Sequence, residues 1–199
     1  FFSLTNKVAG KTFQSKINNV KNILKRNKAD YLFVSAPENV AWLLNIRGSD
    51  NPNSPIPNCR LIIGKDKELF LITQKEKTLK IIKDKKLSKK QIVNPEKFKD
   101  LINKLKGYKF IIDPLSCSLL NENIIKLKFK IINKNDPCYK LKSIKNSSEI
   151  KHMINAHIED GLALTKFIFW IKNINKKKIT EVDAQNKLEK FRKLNKNYL

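Results

Sequence analysis

The chain has 199 residues, of which 41% are hydrophobic, 9% aromatic and 30% charged, and its formal net charge is +24 at pH 7. This length and composition predict a globular protein with apolar residues for one core, or for one core and part of a second. No apolar run approaches the roughly 20 residues that cross a bilayer, and the N-terminal residues lack the pattern of a signal peptide. We therefore expect a cytoplasmic protein that does not enter a membrane.

The positive charge comes almost entirely from lysine, since Arg26, Arg47, Arg60 and Arg192 are the only arginines. Lysines occur in nearly every segment, together with many asparagines and isoleucines, and A/T-rich codons supply all three residue types. Nucleic-acid surfaces instead cluster their charge, favour arginine and place aromatic side chains among the basic ones. The composition therefore does not favour a nucleic-acid partner, which is kept only as a third hypothesis.

Helical and extended patterns alternate along the first two thirds of the chain. In chain order the patterns predict a helix at 12–27, a strand at 31–35, a short helix at 37–45, a hairpin of strands at 60–64 and 68–73, a helix at 75–86, a strand at 91–94, a helix at 95–107, a strand at 109–113, a helix at 119–128 and a strand at 129–133. Such alternation predicts an α/β layer architecture, and the hairpin makes its sheet mixed. The helix at 95–107 begins with proline and is expected to end at Gly107.

After Pro137 the pattern changes to two successive helices. A long apolar stripe predicts a helix at 146–173, and Asn146 with an acidic residue three positions later resembles a capping box. The same start signal recurs at Thr180 and predicts a second helix at 179–195. Two amphipathic helices with no strand beside them lack the sheet against which their apolar faces would pack. We therefore expect both to show an apolar face that further polypeptide or a partner would cover.

Motifs for a complete catalytic site are not recognisable in the sequence. His152 and His157, the only histidines, are five residues apart, whereas helical zinc ligands are four apart, and His157 falls on the apolar stripe, which favours a packing role. Neither a Gly-rich phosphate loop nor a nucleophile elbow nor a group of convergent carboxylates is evident. Cys59, Cys117 and Cys138 are far apart and odd in number, which predicts reduced packing residues. On these residues alone the chain is not a complete enzyme.

The connection at 45–58 is the best candidate for a functional loop. It follows the apolar run AWLLNI with an Arg-Gly-Ser-Asp turn and three prolines, and long ordered connections tend to carry function. Arg47 precedes Gly48, which permits a sharp turn, and its guanidinium can bind a carboxylate bidentately. The alternative is an internal ion pair of Arg47 with Asp50 or Glu38 that holds the loop in place.

These residues resemble a known family. The stretch ENVAWLLNIRGSDNPNSPIPN at 38–58 closely resembles a segment of three-domain Xaa-Pro aminopeptidases (aminopeptidase P), which belong to the pita-bread metallopeptidases. The stretch KNSSEIKHMINAHIEDGLALTKFIFWI at 145–171 is similar to the start of that family's catalytic domain, and TEVDAQNKLEKFR at 180–192 resembles its next helix. The motifs follow in the family's order, and the resemblance covers essentially the whole chain.

The resemblance implies a fold with three parts. Residues 1–11 would be an interdomain linker, and residues 12–140 a middle domain of the creatinase N-terminal type, an α/β domain whose mixed sheet is flanked by helices. Residues 141–199 would be the first two helices of a pita-bread α+β catalytic domain that is incomplete in this chain. A further domain would precede Phe1.

The resemblance also implies the chemistry of a metal-dependent aminopeptidase. Such an enzyme removes the N-terminal residue of peptides with proline in second position, uses two divalent metal ions, here expected to be manganese, and forms a homodimer. The family's metal ligands and catalytic histidines would lie downstream of the second helix. We therefore assign no catalytic or metal-binding residue, and expect the chain to be inactive and metal-free by itself.

For the loop, the resemblance implies a feature that faces either the active site or a neighbouring domain, and it does not decide between the two. Asn45, Arg47 and Asp50 are its candidate residues. A hypothesis of another class is a non-catalytic α/β binding or assembly module.

Overall fold

A computed structural model of the chain describes residues 1–52, 54–174, 179–195 and 198. The chain divides into two compact units, Phe1–Lys145 and Asn146–Leu199. The first unit has both strands and helices, and the second consists of helices in the residues that the structure describes.

Strands and helices alternate through the first unit. Its strands are β1 (Phe2–Ser3), β2 (Tyr31–Val34), β3 (Ile46–Arg47), β4 (Arg60–Gly64), β5 (Leu69–Ile72), β6 (Ile92–Val93), β7 (Lys109–Ile112) and β8 (Lys130–Asn133). Its α-helices are α1 (Asn6–Ala9), α2 (Phe13–Arg26), α3 (Pro37–Leu44), α4 (Leu79–Lys83), α5 (Phe98–Lys104), α6 (Leu119–Lys126) and α7 (Pro137–Ser143).

Six of these strands form one mixed sheet in the order β6-β5-β4-β2-β7-β8. Strand β4 runs antiparallel to its neighbours β2 and β5, and the other neighbouring pairs are parallel. The remaining strands, β1 and β3, form a separate antiparallel pair. The predicted α/β architecture with a mixed sheet flanked by helices is confirmed, including the hairpin of β4 and β5.

The core lies on both faces of the sheet. All four residues of β2 are buried, and because successive side chains point to opposite faces, Leu32 and Val34 join one cluster while Tyr31 and Phe33 join the other. Helices α2 and α3 cover the first face, with residues such as Val20, which is completely buried. Helices α5 and α6 cover the second face. The short central strand is therefore the element around which both layers pack.

Two predicted helices are shorter than their patterns. Residues 75–86 begin as a 3-10 turn, Lys75–Thr78, in which the Thr78 hydroxyl donates to the Lys75 carbonyl at 2.6 Å, and only α4 is α-helical. The prediction that the helix at 95–107 ends at Gly107 is wrong, because α5 ends at Lys104.

Gly107 does not cap the helix; it allows the side chain of Asp30 to approach the backbone closely. Its φ of +148° disfavours other residues, and an added Cβ would meet the Cβ of Asp30 at 3.0 Å. Asp30 accepts hydrogen bonds on Oδ2 from the backbone N–H groups of Tyr108 and Lys109, at 2.8 and 2.9 Å, and on Oδ1 from Lys65 Nζ at 2.8 Å. This carboxylate therefore ties the start of β7 to the hairpin.

Residues 1–11 contain regular structure that the sequence patterns did not predict. Phe2 is paired with Arg47 and Ser3 with Ile46, and α1 is capped by the residue that follows it, Gly10, whose φ is 70°. A two-residue strand is too short to show a period, which is why its pairing escapes sequence analysis. The assignment of residues 1–11 to an interdomain linker stays a prediction, as do the boundaries of the other predicted domains.

The second unit has the two predicted helices, α8 (Ser147–Lys172) and α9 (Glu181–Arg192). Both begin at the predicted capping boxes. Asn146 and Glu149 exchange hydrogen bonds between side chain and backbone, at 2.9 and 3.0 Å, and Thr180 and Asp183 do the same at 3.0 and 3.1 Å. These bonds satisfy N–H groups that the helix itself leaves unpaired.

The apolar stripe of α8 is largely exposed. The exposed fraction is 66% for Ile158 and 53% for Leu162, and Ala163 is the one buried residue of the helix. From its place on the stripe we expected His157 to be packed. It is instead exposed, and its Nδ1 lies 2.8 Å from the Met153 carbonyl oxygen. Within the described ranges, no helix combines the length and the apolar character needed to cross a membrane.

Candidate functional site

The predicted loop starts at Asn45, the residue that follows and caps α3. Asn45 has a left-handed backbone, with φ and ψ both 50°, a conformation that asparagine tolerates better than most residues. Its side chain is buried, and both its amide nitrogen and its amide oxygen are hydrogen-bonded. Nδ2 donates to the Lys11 carbonyl at 2.8 Å, and Oδ1 accepts from Lys16 Nζ at 2.7 Å. Asn45 therefore holds the start of the loop against the beginning of α2.

Three basic side chains converge on the C-terminal end of α3. Lys16 Nζ donates to the Trp42 carbonyl at 2.9 Å, Lys86 Nζ to the Asn45 carbonyl at 2.8 Å, and Arg47 Nη1 to the Ala41 carbonyl at 3.5 Å. The last carbonyls of a helix have no partner within the helix and carry partial negative charge. Cations at this end stabilise the helix by electrostatic attraction.

Lys16 is an unusual member of this group, because its side chain is only 2% exposed. Its Nζ also lies 4.2 Å from the centroid of the Trp42 ring, within the range of a cation–π contact. Sequence analysis missed Lys16, although it lies three positions after Phe13 and four before Val20, on the same face of α2. A lysine within an apolar stripe was the available signal.

Arg47 is half-buried in β3, and burial lowers the pKa of its guanidinium. Nη1 donates to the Ile46 carbonyl at 2.8 Å. The alternative of an internal ion pair with Asp50 or Glu38 is wrong, because within the described ranges no carboxylate lies within 4.0 Å of Arg47. Glu38 instead accepts a hydrogen bond from the Tyr139 hydroxyl at 3.2 Å.

Asp50 closes the base of the loop. Its Oδ1 accepts from Lys77 Nζ at 2.6 Å, and its Oδ2 accepts from the backbone N–H of Asn58 at 2.7 Å. Burial acts to raise the pKa of Asp50, but the bonds from Lys77 and Asn58 outweigh it and the pKa is lowered. In the part of the chain that the structure describes, Asp50 has no hydrogen bond or ion pair with Asn45 or Arg47.

A second cross-link lies between Asp50 and the helix end. The N–H of Gly48 donates to the Pro55 carbonyl at 3.0 Å. A Cβ added to Gly48 would meet the Cβ of Pro57 at 2.8 Å and its Cα at 2.9 Å, so a side chain at position 48 would clash with this segment. The loop is thus an ordered closed structure, although residue 53 lies outside the described residues.

A second polar group lies at the carboxyl ends of β2, β7 and β8, where open α/β sheets often bind ligands. Asp113 Oδ2 accepts from the backbone N–H of Asp136 at 2.9 Å, and Asp136 Oδ2 accepts from Asn39 Nδ2 at 2.7 Å. Asn39 Oδ1 in turn accepts from Lys142 Nζ at 2.6 Å. Burial raises the pKa of Asp136, and its hydrogen bonds only partly oppose this. The polar atoms of this group bond to one another, and these hydrogen bonds join α3 to α7.

The structure gives no indication of a metal centre in the described residues. Among them, no group of three or more His, Cys, Asp or Glu side chains could hold a metal ion. Cys59, Cys117 and Cys138 do not form disulfides, and burial raises the pKa of the Cys59 thiol to about 12 and that of Cys117 to about 11. The described residues therefore do not fit a two-metal site.

Comparison with known proteins shows which proteins are similar to this chain in sequence and in fold. A family model described as the Creatinase/Prolidase N-terminal domain matches residues 1–149. Xaa-Pro aminopeptidase 1 of Dictyostelium discoideum is 32% identical over 205 residues, which cover 96% of this chain and 31% of the relative. Xaa-Pro aminopeptidase ApepP of Drosophila melanogaster is 33% identical over 198 residues, which cover 96% and 32%. The chain spans about a third of the length of these curated relatives.

A solved structure is similar to the whole chain. The X-prolyl aminopeptidase of Caenorhabditis elegans, described as a cytosolic enzyme with a di-nuclear active site, matches with a TM-score of 0.86 and 23% identity. The match covers 99% of this chain and 33% of that protein. At this identity the likeness establishes the fold.

Proposed function

The chain belongs to the Creatinase/Prolidase N-terminal domain family, and from this premise we propose that it is a portion of a metal-dependent Xaa-Pro aminopeptidase. Such an enzyme removes the N-terminal residue of peptides that have proline in second position. The observation that carries the proposal is the identity of 32% and 33% to two Xaa-Pro aminopeptidases over nearly the whole chain. The fold shared with the Caenorhabditis elegans enzyme supports it.

The proposal divides the chain by role. Residues 12–140 are a creatinase-N-like middle domain, residues 1–11 link it to another domain, and residues 141–199 are the first helices of the catalytic domain. The exposed apolar stripe of α8 supports this division, because contiguous apolar surface marks a place where further protein packs. The enzyme would be cytoplasmic and form a homodimer.

Two divalent metal ions, manganese in our proposal, would be bound by parts of the enzyme other than the described residues. A metal ion of this kind supplies a nucleophilic hydroxide at neutral pH and polarises the scissile carbonyl. The described residues offer no ligand group, so we derive no catalytic step for this chain. Its contribution would be a rigid domain that presents the loop at 45–58.

We assign that loop to a surface that faces the substrate or a neighbouring domain. Two features support this role. The loop is closed by Asp50 and by the Gly48–Pro55 hydrogen bond, so its shape is preorganised. The loop also exposes Ser49 and Asn51 to solvent. Ordered loops held by a rigid scaffold are frequent sites of binding.

The test compares this chain with the longest protein that its reading frame encodes. Both are incubated with an Arg-Pro-Pro peptide and Mn²⁺, and release of the N-terminal arginine is measured. The matched control is the same peptide with alanine in second position, and a second control adds a chelator. We expect hydrolysis of the proline peptide by the longer protein alone, with loss of activity on chelation.

Activity in neither protein would overturn the proposal. The non-catalytic binding or assembly module would then be the better description, with the loop as a docking surface. Hydrolysis by the 199-residue chain itself would contradict the assignment of the metal ions to other parts of the enzyme.

A further inference from the structure

The guanidinium of Arg47 has hydrogen-bonding capacity that the described residues do not use. Arginine carries five N–H donors in a fixed fork. Among the described residues, Arg47 donates only through Nη1, to the carbonyls of Ile46 and Ala41. Within the described ranges, Nε and Nη2 donate to no protein atom and no carboxylate lies within 4.0 Å. One edge of the fork is therefore available.

This edge is held in a defined position. The backbone of Arg47 is paired with Phe2 in the small sheet, and Nη1 is anchored on two carbonyls, so the half-buried side chain is fixed at both ends. A donor group that is already ordered loses less conformational entropy when it binds. Burial of a guanidinium without an opposite charge is unfavourable, and a bound anion would offset that.

The surroundings of Arg47 favour an anion from outside the unit. Lys16 and Lys86 reach the same helix end, which adds positive charge near the guanidinium. The nearby acidic residues are already engaged, since Asp50 is paired with Lys77 and Glu38 accepts from Tyr139. The electrostatic balance at this end of α3 is therefore positive.

We propose that Arg47 binds a carboxylate of a peptide or protein ligand through Nε and Nη2. The planar fork of arginine matches the two oxygens of a carboxylate, and such bidentate pairs are stronger than neutral hydrogen bonds. The carboxylate is either the C-terminus of a polypeptide or the side chain of Asp or Glu. This inference does not rest on the proposed enzymatic function, because the chain can be tested for binding as it stands.

The presence of only four arginines makes a direct test practical. The chain is labelled with ¹⁵N-arginine, and the Nε–Hε signals are followed by NMR during titration with sodium acetate or sodium chloride at constant ionic strength. We expect the Arg47 signal to shift with acetate and to saturate, and to respond much less to chloride. Arg26, whose Nε donates to the Asn22 carbonyl, and Arg192, which is paired with Asp160, serve as internal controls.

Three peptides then identify the source of the carboxylate. One has a free C-terminus and no acidic side chain, the second is its C-terminal amide, and the third is the amide with one glutamate. Saturation by the first peptide alone would identify a C-terminal carboxylate, and saturation by the third would identify an acidic side chain. No response to any of the three, together with an Arg47 signal that behaves like that of Arg26, would overturn the proposal.

A conservative variant separates charge from geometry. Arg47→Lys keeps the positive charge but removes the paired donors, and binding is followed on the backbone amides of Asn45 and Gly48. We expect affinity for acetate to fall about tenfold, while Arg26→Lys leaves it unchanged. Equal affinity in R47K and the parent chain would overturn bidentate binding. Unchanged amide spectra away from residues 45–48 would exclude unfolding as the cause.

Discussion

The two units of the chain differ in how far their helices are buried, although both start their helices at predictable residues. In the first unit, helices cover both faces of a six-stranded sheet and completely buried residues such as Phe33 and Val20 form continuous clusters. In the described part of the second unit, Ala163 is the one buried residue. Helix starts depend on local hydrogen bonds, as at Asn146 and Thr180, whereas burial requires other elements to pack against.

The largest expected effect is a contrast between substitutions of an apolar residue in each of the two units. Phe33→Ala removes a fully buried ring and should lower the free energy of unfolding by about 3–5 kcal/mol. Ile158→Ala, at a side chain that is 66% exposed, should change it by less than about 0.5 kcal/mol. Urea unfolding followed by circular dichroism measures both. A large loss in I158A would show that the stripe of α8 is covered in solution, for example by self-association.

An intermediate effect is expected at two glycines, with opposite signs in the two units. Gly48→Ala places a Cβ 2.8 Å from the Cβ of Pro57 and should destabilise the chain by about 1–3 kcal/mol. Gly161→Ala, in the middle of α8 where nothing lies within 4 Å of the added Cβ, should increase the stability of its helix by up to about 1 kcal/mol. Thermal unfolding of both variants checks the signs. A neutral G48A variant would show that the loop opens readily.

The last effect concerns Asp30 and depends on pH. Burial acts to raise its pKa, but the hydrogen bonds from Lys109, Lys65 and Tyr108 lower it to about 2, against an ordinary value of 3.8. A folded pKa below the unfolded one contributes stability that is fully present above about pH 4 and is lost as the pH falls towards 2. Asp30→Asn should therefore lose on the order of 1–2 kcal/mol at pH 7, allowing for partial solvent screening.

The measurement for Asp30 is the free energy of unfolding from pH 2 to 7. We expect the D30N variant and the parent chain to differ most above pH 4 and to converge near pH 2. Asp66→Asn is the matched control, since Asp66 lies in the hairpin connection next to Lys65, the ion-pair partner of Asp30, and its own carboxylate forms no ion pair with a described residue. A difference that stays constant over this range would mean that the charge of Asp30 is not responsible.

Sequence analysis predicted the layers of the fold well, because its strongest signals are local. The apolar spacing of α2, the strand pattern of β2 and the capping boxes of α8 and α9 each reside in a few neighbouring residues. The elements that it missed depend on distant partners. Strands β1 and β3 are two residues long and exist because they pair with each other across the chain. Gly107 is explained by Asp30, which is far from it in sequence.

The position of the candidate loop in the sequence was predicted, but the contacts that its residues make were not. The sequence pointed to Asn45, Arg47 and Asp50, and the structure places all three in an ordered connection. The partners of Asp50 and Arg47 were not predictable, since Lys77 and the carbonyls of α3 come together only through the fold. The functional role of the three residues stays a prediction.

The burial of Lys16 has a practical consequence for chemical labelling. Amine-reactive reagents modify lysines that water can reach, and most lysines of this chain lie at the surface, whereas Lys16 Nζ is enclosed by Trp42 and Asn45. Lys16 Nζ would be exposed to the reagent only when α2 separates from α3. The rate of Lys16 acylation relative to that of Lys21, followed by mass spectrometry, therefore measures how often α2 separates from α3.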